Sequence, residues 1–353
     1  MQSKEFHGVK ISGLACAVPD NKAMTKDYTK YFGEAAVDRF IKATGIEGRY
    51  ISDGRQTASD LSFDAADALM KKKGLTGEDF DAVVMITQSA DYKIPATSYV
   101  LHKRLGIKKD CLVFDINLGC SGYVNGIYLL AGLIESGTIN RALLLVGDSD
   151  TYHKVTDDTS FTMMFGDASS ATILERGEGT IKGMIRSDGN GYDSLITPIP
   201  GARFPGILSE EAVFKGQSMN GDDVFLFTIT EVPKLIKEFF ATFNCNADSF
   251  DYFMLHQANL MIINQITKLS KLPKEKVPVS LGVYGNTDGA SIPVGIVDLV
   301  EHLNEKKKLN LLTSGFGIGL SWGVVSFELD SDDVMPMIIS NDYFAEGKNV
   351  FSF

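Results

Sequence analysis

The sequence predicts a layered α/β protein assembled from two similar halves. Three observations lead there. Short strand-like apolar runs alternate with helical patterns, the same order of runs recurs about 170 residues later, and no low-complexity linker separates the copies. At 353 residues the chain has room for about two domains and a large core.

The first helical pattern runs from Ala58 to Lys73, with Leu61, Ala65, Ala68 and Leu69 on one face and Gly74 as its stop. It leads into Asp81-Ala82-Val83-Val84-Met85-Ile86-Thr87-Gln88, an apolar run short enough for a buried strand and introduced by Phe80 and Asp81. Asp115-Ile116-Asn117-Leu118-Gly119-Cys120-Ser121-Gly122 then joins the end of a second strand-like run to a long apolar helix-like run. Ala142-Leu143-Leu144-Leu145-Val146-Gly147 is the next strand, and Ala168 to Glu175, after Phe165-Gly166-Asp167, the one after it. Ser187-Asp188-Gly189-Asn190-Gly191-Tyr192 is turn-rich, and with Pro198, Pro200 and Pro205 it predicts a long loop early in the second half.

The second half repeats the order. A helix is expected from Thr230 to Phe243, carrying Leu235, Ile236 and Phe239, and it precedes a second Phe-Asp-led strand, Asp251-Tyr252-Phe253-Met254-Leu255-His256-Gln257. Leu309-Asn310-Leu311-Leu312-Thr313-Ser314-Gly315 echoes the run at Ala142, and Trp322 to Leu329 closes the pattern. The expected division is residues 1–180 for the N-terminal half, 181–330 for the C-terminal half and 331–353 for an extension. Val334, Met335, Met337, Ile338 and Ile339 suggest that this extension packs on the body or on a partner.

Composition narrows the function classes. A net charge of −11 argues against general nucleic-acid binding, which requires a positive surface. Lys71-Lys72-Lys73 and Lys306-Lys307-Lys308 are expected to be solvated helix ends, where cations suit the dipole. Four cysteines without C-x-x-C pairing give neither a disulfide framework nor a zinc site and are consistent with a reducing compartment. No metal or cofactor is expected. The charged start of the chain and the lack of a long uncharged apolar run predict a soluble cytoplasmic protein without a membrane segment.

Cys120 is the candidate nucleophile. A thiol where a helix begins faces unpaired N–H groups and the positive end of the dipole, which favour the reactive thiolate. A free cysteine is otherwise a small buried hydrophobe, and Cys16, Cys111 and Cys245 are read that way. His256, at a strand end before Gln257-Ala258-Asn259-Leu260, and Asn286, in Tyr284-Gly285-Asn286-Thr287-Asp288-Gly289-Ala290-Ser291, supply an imidazole and a carboxamide. The glycine-rich loop Ser314-Gly315-Phe316-Gly317-Ile318-Gly319-Leu320-Ser321-Trp322-Gly323 can bring backbone N–H groups against a ligand. Together these segments suit acyl transfer: a thiolate to take an acyl group, a His–Asn pair to donate hydrogen bonds and a backbone oxyanion site.

These four motifs, in this order and spacing, resemble those of the thiolase-fold ketosynthases, in the beta-ketoacyl-acyl-carrier-protein synthase III branch, over residues 8–329. The resemblance implies a thiolase-like duplicated five-layer α-β-α-β-α sandwich that forms a homodimer. It implies Cys120, His256 and Asn286 as catalytic residues, an oxyanion site at the backbone N–H groups of Cys120 and Ile318, and substrate contacts from Ile94, Phe316 and Gly317. The implied reaction is a decarboxylating Claisen condensation of a Cys-bound acyl group with a malonyl-type thioester. Acyl thioesters, of coenzyme A or of acyl carrier protein, are the expected substrates.

Several positions depart from the family pattern. Arg39 stands where bacterial members commonly carry a tryptophan against the coenzyme A adenine, and the place of the opposing arginine, near Thr159, lacks a guanidinium. The missing clamp suggests, within fatty-acid or specialised acyl or polyketide biosynthesis, a specialised pathway instead of general fatty-acid initiation. Met261 replaces an arginine that often docks the carrier, leaving Lys268 and Lys271 to attract its acidic surface. Ile94 stands where a phenylalanine often closes the acyl pocket across the dimer. Rival readings are acyl transfer to an alcohol or amine without condensation, a non-catalytic carrier-binding subunit, and a thiol redox protein.

Overall fold

A computed structural model describes residues 3–149, 151, 159–197 and 218–349; Pro198, Pro200, Pro205 and the side chain of Thr159 lie outside the described set. The layer-forming elements of the N-terminal half are, in order, β1 (Ser3–Pro19), α1 (Ala58–Lys73), β2 (Ala82–Ile86), α2 (Thr97–Arg104), β3 (Leu112–Ile116), α3 (Gly122–Glu135), β4 (Arg141–Asp148) and β5 (Ala168–Ser187). The C-terminal half continues with α4 (Gly221–Thr242), β6 (Tyr252–Leu255), α5 (Leu260–Leu269), α6 (Ser291–Glu301), β7 (Lys308–Gly317) and β8 (Ser321–Asp330). A short strand, β9 (Ile338–Ser340), follows.

The two halves share their strands. β4 pairs with the first part of β5, Arg141 opposite Glu175 through Asp148 opposite Ala168, whereas β8 pairs with the last part, Ser326 opposite Lys182 through Ser321 opposite Ser187. β1 lies antiparallel along the other edge of β5 in both stretches, from Ser3 opposite Met184 to Ala17 opposite Ser169. β2 runs parallel to β3 and β4, and β6 runs parallel to β7. Residue 180 therefore sits within an unbroken strand common to both halves.

Alternation along the strands sorts their side chains into layers, since successive residues face opposite sides of a sheet. Val83, Leu143 and Ile173 pack with Leu61, Ala65 and Leu69 of α1, whereas Val84 and Leu144 pack with Ile127 and Leu130 of α3. In the second half Leu309, Leu311 and Val325 join that same central cluster with Ile296 and Val297 of α6; Leu312 and Val324 face Leu235 and Ile236 of α4 and Ile263 of α5. The result is five layers: α1 and α2, the N-terminal strands, α3 with α6, the C-terminal strands, and α4 with α5.

Local chemistry sets the helix limits. Thr57 and Asp60 form a capping box at the start of α1, and Gly74, at φ +64°, closes its end. The helix expected from Thr230 begins nine residues earlier, at Gly221, where the Asn220 side chain accepts the Asp223 N–H at 3.3 Å and two acids lie in the first turn. Apolar periodicity marks the turns carrying Leu235, Ile236 and Phe239, although Phe227 of the earlier turns is also buried, edge-on to Trp322.

The lysine cluster at α1 is not simply solvated. Lys72 Nζ donates to the carbonyls of Asp332 and Val334 at 2.7 and 3.1 Å, and Lys73 pairs with Asp333, clasping the chain beyond β8. Lys306, Lys307 and Lys308 likewise pair with Asp332, Asp251 and Glu328. From there β9 runs parallel to Ala17–Pro19 of β1, and Val334 is buried, while Ile339 stays exposed. Among the described residues no helix is long and apolar enough to cross a membrane.

Candidate active site

The central helices α3 and α6 begin side by side. Cys120 stands two residues before α3, and Asp288, 168 residues later, stands three residues before α6; the Cys120 Sγ–H donates to Asp288 Oδ1 across 3.6 Å. The repeat thus places a thiol and a carboxyl at equivalent ends of equivalent helices. Backbone closeness confirms the approach, since a Cβ on Gly289 would lie 3.1 Å from the Gly119 carbonyl oxygen.

The segment around Asn286 is held by backbone pairing to Met164–Gly166. Asn286 N–H donates to Met164 O at 3.0 Å, and Asn286 O accepts from Gly166 N–H at 2.9 Å. Its side-chain Oδ1 accepts the Asp288 N–H at 3.0 Å, which fixes the amide orientation and leaves Nδ2 as the donor. Nδ2 makes no hydrogen bond to a described residue.

His256 follows β6, where its N–H donates to Ser314 O of β7 at 2.8 Å. Its Nδ1 lies 2.6 Å from Ser291 Oγ, and that oxygen also accepts the Gln257 N–H at 3.3 Å. Assigning Ser291 Oγ, which already accepts the Gln257 N–H, as the donor to Nδ1 places the imidazole's own proton on Nε2. Burial pushes the His256 pKa down to about 3, so the ring is neutral near pH 7. The rest of the motif is scaffold: Gln257 bonds Leu255 O and the Ser280 N–H, and Asn259 caps α5 by accepting the Ile262 N–H.

The β7–β8 hairpin completes the cluster. A Cβ on Gly317 would sit 2.7 Å from Cys120 Cβ and 3.1 Å from Sγ, so only glycine lets this strand lie on Cys120. Phe316 meets the His256 ring edge-on at 5.3 Å between centroids. Ser321 Oγ donates to Ile318 O at 2.9 Å and lies 2.5 Å from Ser121 Oγ, tying the hairpin turn to the residue after Cys120. Cys120, His256, Asn286, Phe316, Gly317 and Ile318 thus belong to one linked cluster.

Ile94 does not join that cluster within the described chain. It is 85% exposed, before the cis peptide bond to Pro95. Arg39, Met261, Lys268 and Lys271 are also on the surface. Sequence reasoning missed Asp288 and Ser291 as site residues; Asp288 lies 168 positions after Cys120, close to the repeat of about 170.

The architecture is the thiolase fold. The family of 3-oxoacyl-[acyl-carrier-protein] synthase III matches residues 114–189, which include Cys120, and its C-terminal part matches residues 240–329, which include His256, Asn286 and Ile318. Beta-ketoacyl-[acyl-carrier-protein] synthase III of Clostridium perfringens is 32% identical over 323 residues, covering 91% of this chain and 99% of that protein. The corresponding Streptococcus gordonii protein is 32% identical over 324 residues, covering 90% and 98%. A crystal structure of 3-oxoacyl-(acyl-carrier protein) synthase from Burkholderia xenovorans superposes with a TM-score of 0.88 at 32% identity, covering 96% of this chain and 99% of that one. The chain belongs to the 3-oxoacyl-[acyl-carrier-protein] synthase III family.

A neutral buried imidazole links stability to acid. His256 has a folded pKa near 3 against about 6.5 unfolded, so between these values the unfolded state binds more protons. Stability from this group is present above pH 6.5 and is lost as pH falls towards 3. Urea unfolding of the native protein should lose on the order of 2 kcal/mol from this group between pH 7 and 5. The His256→Gln protein should lack that component, and an identical pH dependence in both proteins would contradict it.

Proposed function

We propose that this protein catalyses a decarboxylating condensation in which Cys120 carries the acyl group. Cys120 takes the acyl group from a thioester, forming a new C–S bond as the donor's C–S bond breaks. A malonyl-type thioester then loses carbon dioxide, and the enolate oxygen receives hydrogen bonds from His256 Nε2–H and Asn286 Nδ2–H. Its carbon attacks the Cys120 thioester, whose carbonyl oxygen is received by the N–H groups of Cys120 and Ile318. The C–S bond to Cys120 breaks, leaving a 3-oxoacyl thioester. Phe316 and Gly317 wall the reacting end, and the route draws only on protein groups and two thioesters.

The observation that carries this reading is the state of the two donors. Asn286 Oδ1 is occupied by the Asp288 N–H and His256 Nδ1 by Ser291, so each side chain has an N–H left to give, and both are uncharged. Two fixed neutral donors suit an enolate oxygen, whose charge appears only as the reaction proceeds. They favour condensation over simple acyl transfer to an alcohol or amine, which creates no enolate.

A second copy of the chain is the proposed partner at β3. This strand ends its sheet, Leu112 is 44% exposed, and Val113, Phe114 and Ile116 are only half-buried. An open apolar edge of this kind is normally covered, and strand addition by a twin chain covers it symmetrically. The same dimer would cover exposed Ile94 and carry it towards the partner's acyl site. An acidic carrier protein is the proposed second partner, docking at the exposed lysines Lys268 and Lys271 at the end of α5.

Four measurements test these assignments. Cys120→Ala should gain no acyl mass and form no condensation product; unchanged condensation would refute the mechanism. His256→Ala and Asn286→Ala should still acylate Cys120 but lose roughly 10²-fold or more in decarboxylation, one donor being typically worth about 2.7–4 kcal/mol. Equal loss of acylation and decarboxylation would contradict the division of labour. Sedimentation should give a dimer that Leu112→Lys dissociates, whereas a native monomer at micromolar concentration would remove that proposal. Lys268→Glu with Lys271→Glu should weaken carrier binding about tenfold or more at low salt, and unchanged affinity would remove the docking site.

A further inference from the structure

The motif around Asn286 brings a carboxyl to the nucleophile that the route above does not use. Asp288 is buried, its Oδ1 accepts the Cys120 Sγ–H at 3.6 Å, and its own N–H is anchored on Asn286 Oδ1 at 3.0 Å. Its backbone has φ +47°, a left-handed conformation that aspartate and asparagine tolerate better than most residues. The site's imidazole is neutral and is engaged through Nδ1 by Ser291, and Phe316-Gly317-Ile318 of the hairpin brings no titratable side chain. Asp288 Oδ1, in contact with Sγ, is thus placed to take a proton as sulfur attacks.

We propose that Asp288 is a catalytic residue of acyl loading, accepting the Cys120 thiol proton and returning it to the departing thiol. This rests on the reading of Cys120 as the acyl carrier. As Sγ bonds to the carbonyl carbon of the donor thioester, its proton passes to Asp288 Oδ1. When the donor C–S bond breaks, the protonated carboxyl returns that proton to the leaving sulfur. The sum is one acyl-Cys120 and one free thiol, with the carboxylate restored and no further reactant consumed.

A base of this kind has two opposed effects, which separates it from a structural role. The carboxylate stabilises the resting S–H form, so removing its charge makes the free thiol easier to ionise. The same removal takes away the proton acceptor for loading. Asp288→Asn tests both, because asparagine keeps the left-handed backbone and the main-chain anchor to Asn286.

The experiment follows two readouts in the native and Asp288→Asn proteins, with Cys120→Ser as the blank. Rapid-quench intact-mass measurement with a short acyl-coenzyme A should show loading slowed on the order of 10²-fold in the variant. The pH dependence of iodoacetamide alkylation of Cys120, which needs no substrate, should move its midpoint down by about one unit. Loading within twofold of native, or an unmoved alkylation midpoint, would overturn the proposal while leaving the acyl-Cys120 reading intact. A native protein that acquires no acyl mass at Cys120 from coenzyme A or carrier-protein thioesters would overturn both.

Discussion

Two helices enclosed between two sets of strands begin at the same point, and the site is organised around that convergence. Each helix start carries unpaired N–H groups and roughly half a positive charge, so two of them side by side repel unless something negative or strongly accepting lies between. At the start of α3 this chain places Cys120, and at the start of α6 it places Asp288, in contact across 3.6 Å. A thiolate, an enolate oxygen and a tetrahedral oxyanion are all negative species that the helix starts themselves favour, before the Asp288 carboxyl is counted. The fold thereby supplies part of the electrostatic stabilisation before any side chain is chosen.

The shared strands keep that convergence in place. β1 and β5 run through both halves, so neither set of strands can shift without breaking a ladder common to the two. α3 and α6 are packed against strands on both sides through residues such as Ile127, Leu130, Ile296 and Val297, all fully buried. The His256 and Asn286 side chains inherit this rigidity through short links to Ser314, Ser291 and Asp288. Donors already fixed in place need no reorganisation as charge develops.

Much of this was legible in the sequence because duplication leaves a trace that survives divergence. The Phe-Asp-led runs at Phe80 and Phe250 and the paired runs at Ala142 and Leu309 become β2, β6, β4 and β7, and the helix read from Ala58 to Lys73 has those ends. Cys120, His256, Asn286 and the Gly315–Gly319 loop stood out because each pairs a reactive or permissive residue with a junction between elements. What stayed hidden depended on contacts distant in sequence. The early turns of α4 are defined by the Asn220 cap, since exposed Leu226 obscures the apolar period there. Lys72 and Lys73 read as a solvated end because their acceptors, Asp332, Asp333 and Val334, lie about 260 positions away. Asp288 was hidden for a different reason: Asn-Thr-Asp-Gly reads locally as a turn, and its relation to Cys120 emerges only when the halves are superposed.

The central claim is geometric: the proposed acyl group on Cys120 lies with its carbonyl oxygen at the backbone N–H groups of Cys120 and Ile318, facing His256 Nε2 and Asn286 Nδ2. A crystal structure of the Asn286→Ala protein soaked with a short acyl thioester addresses this most directly. The account predicts electron density continuous with Cys120 Sγ and a carbonyl oxygen within about 3 Å of both backbone nitrogens. An unmodified Cys120, or an acyl oxygen turned away from Ile318, would contradict it.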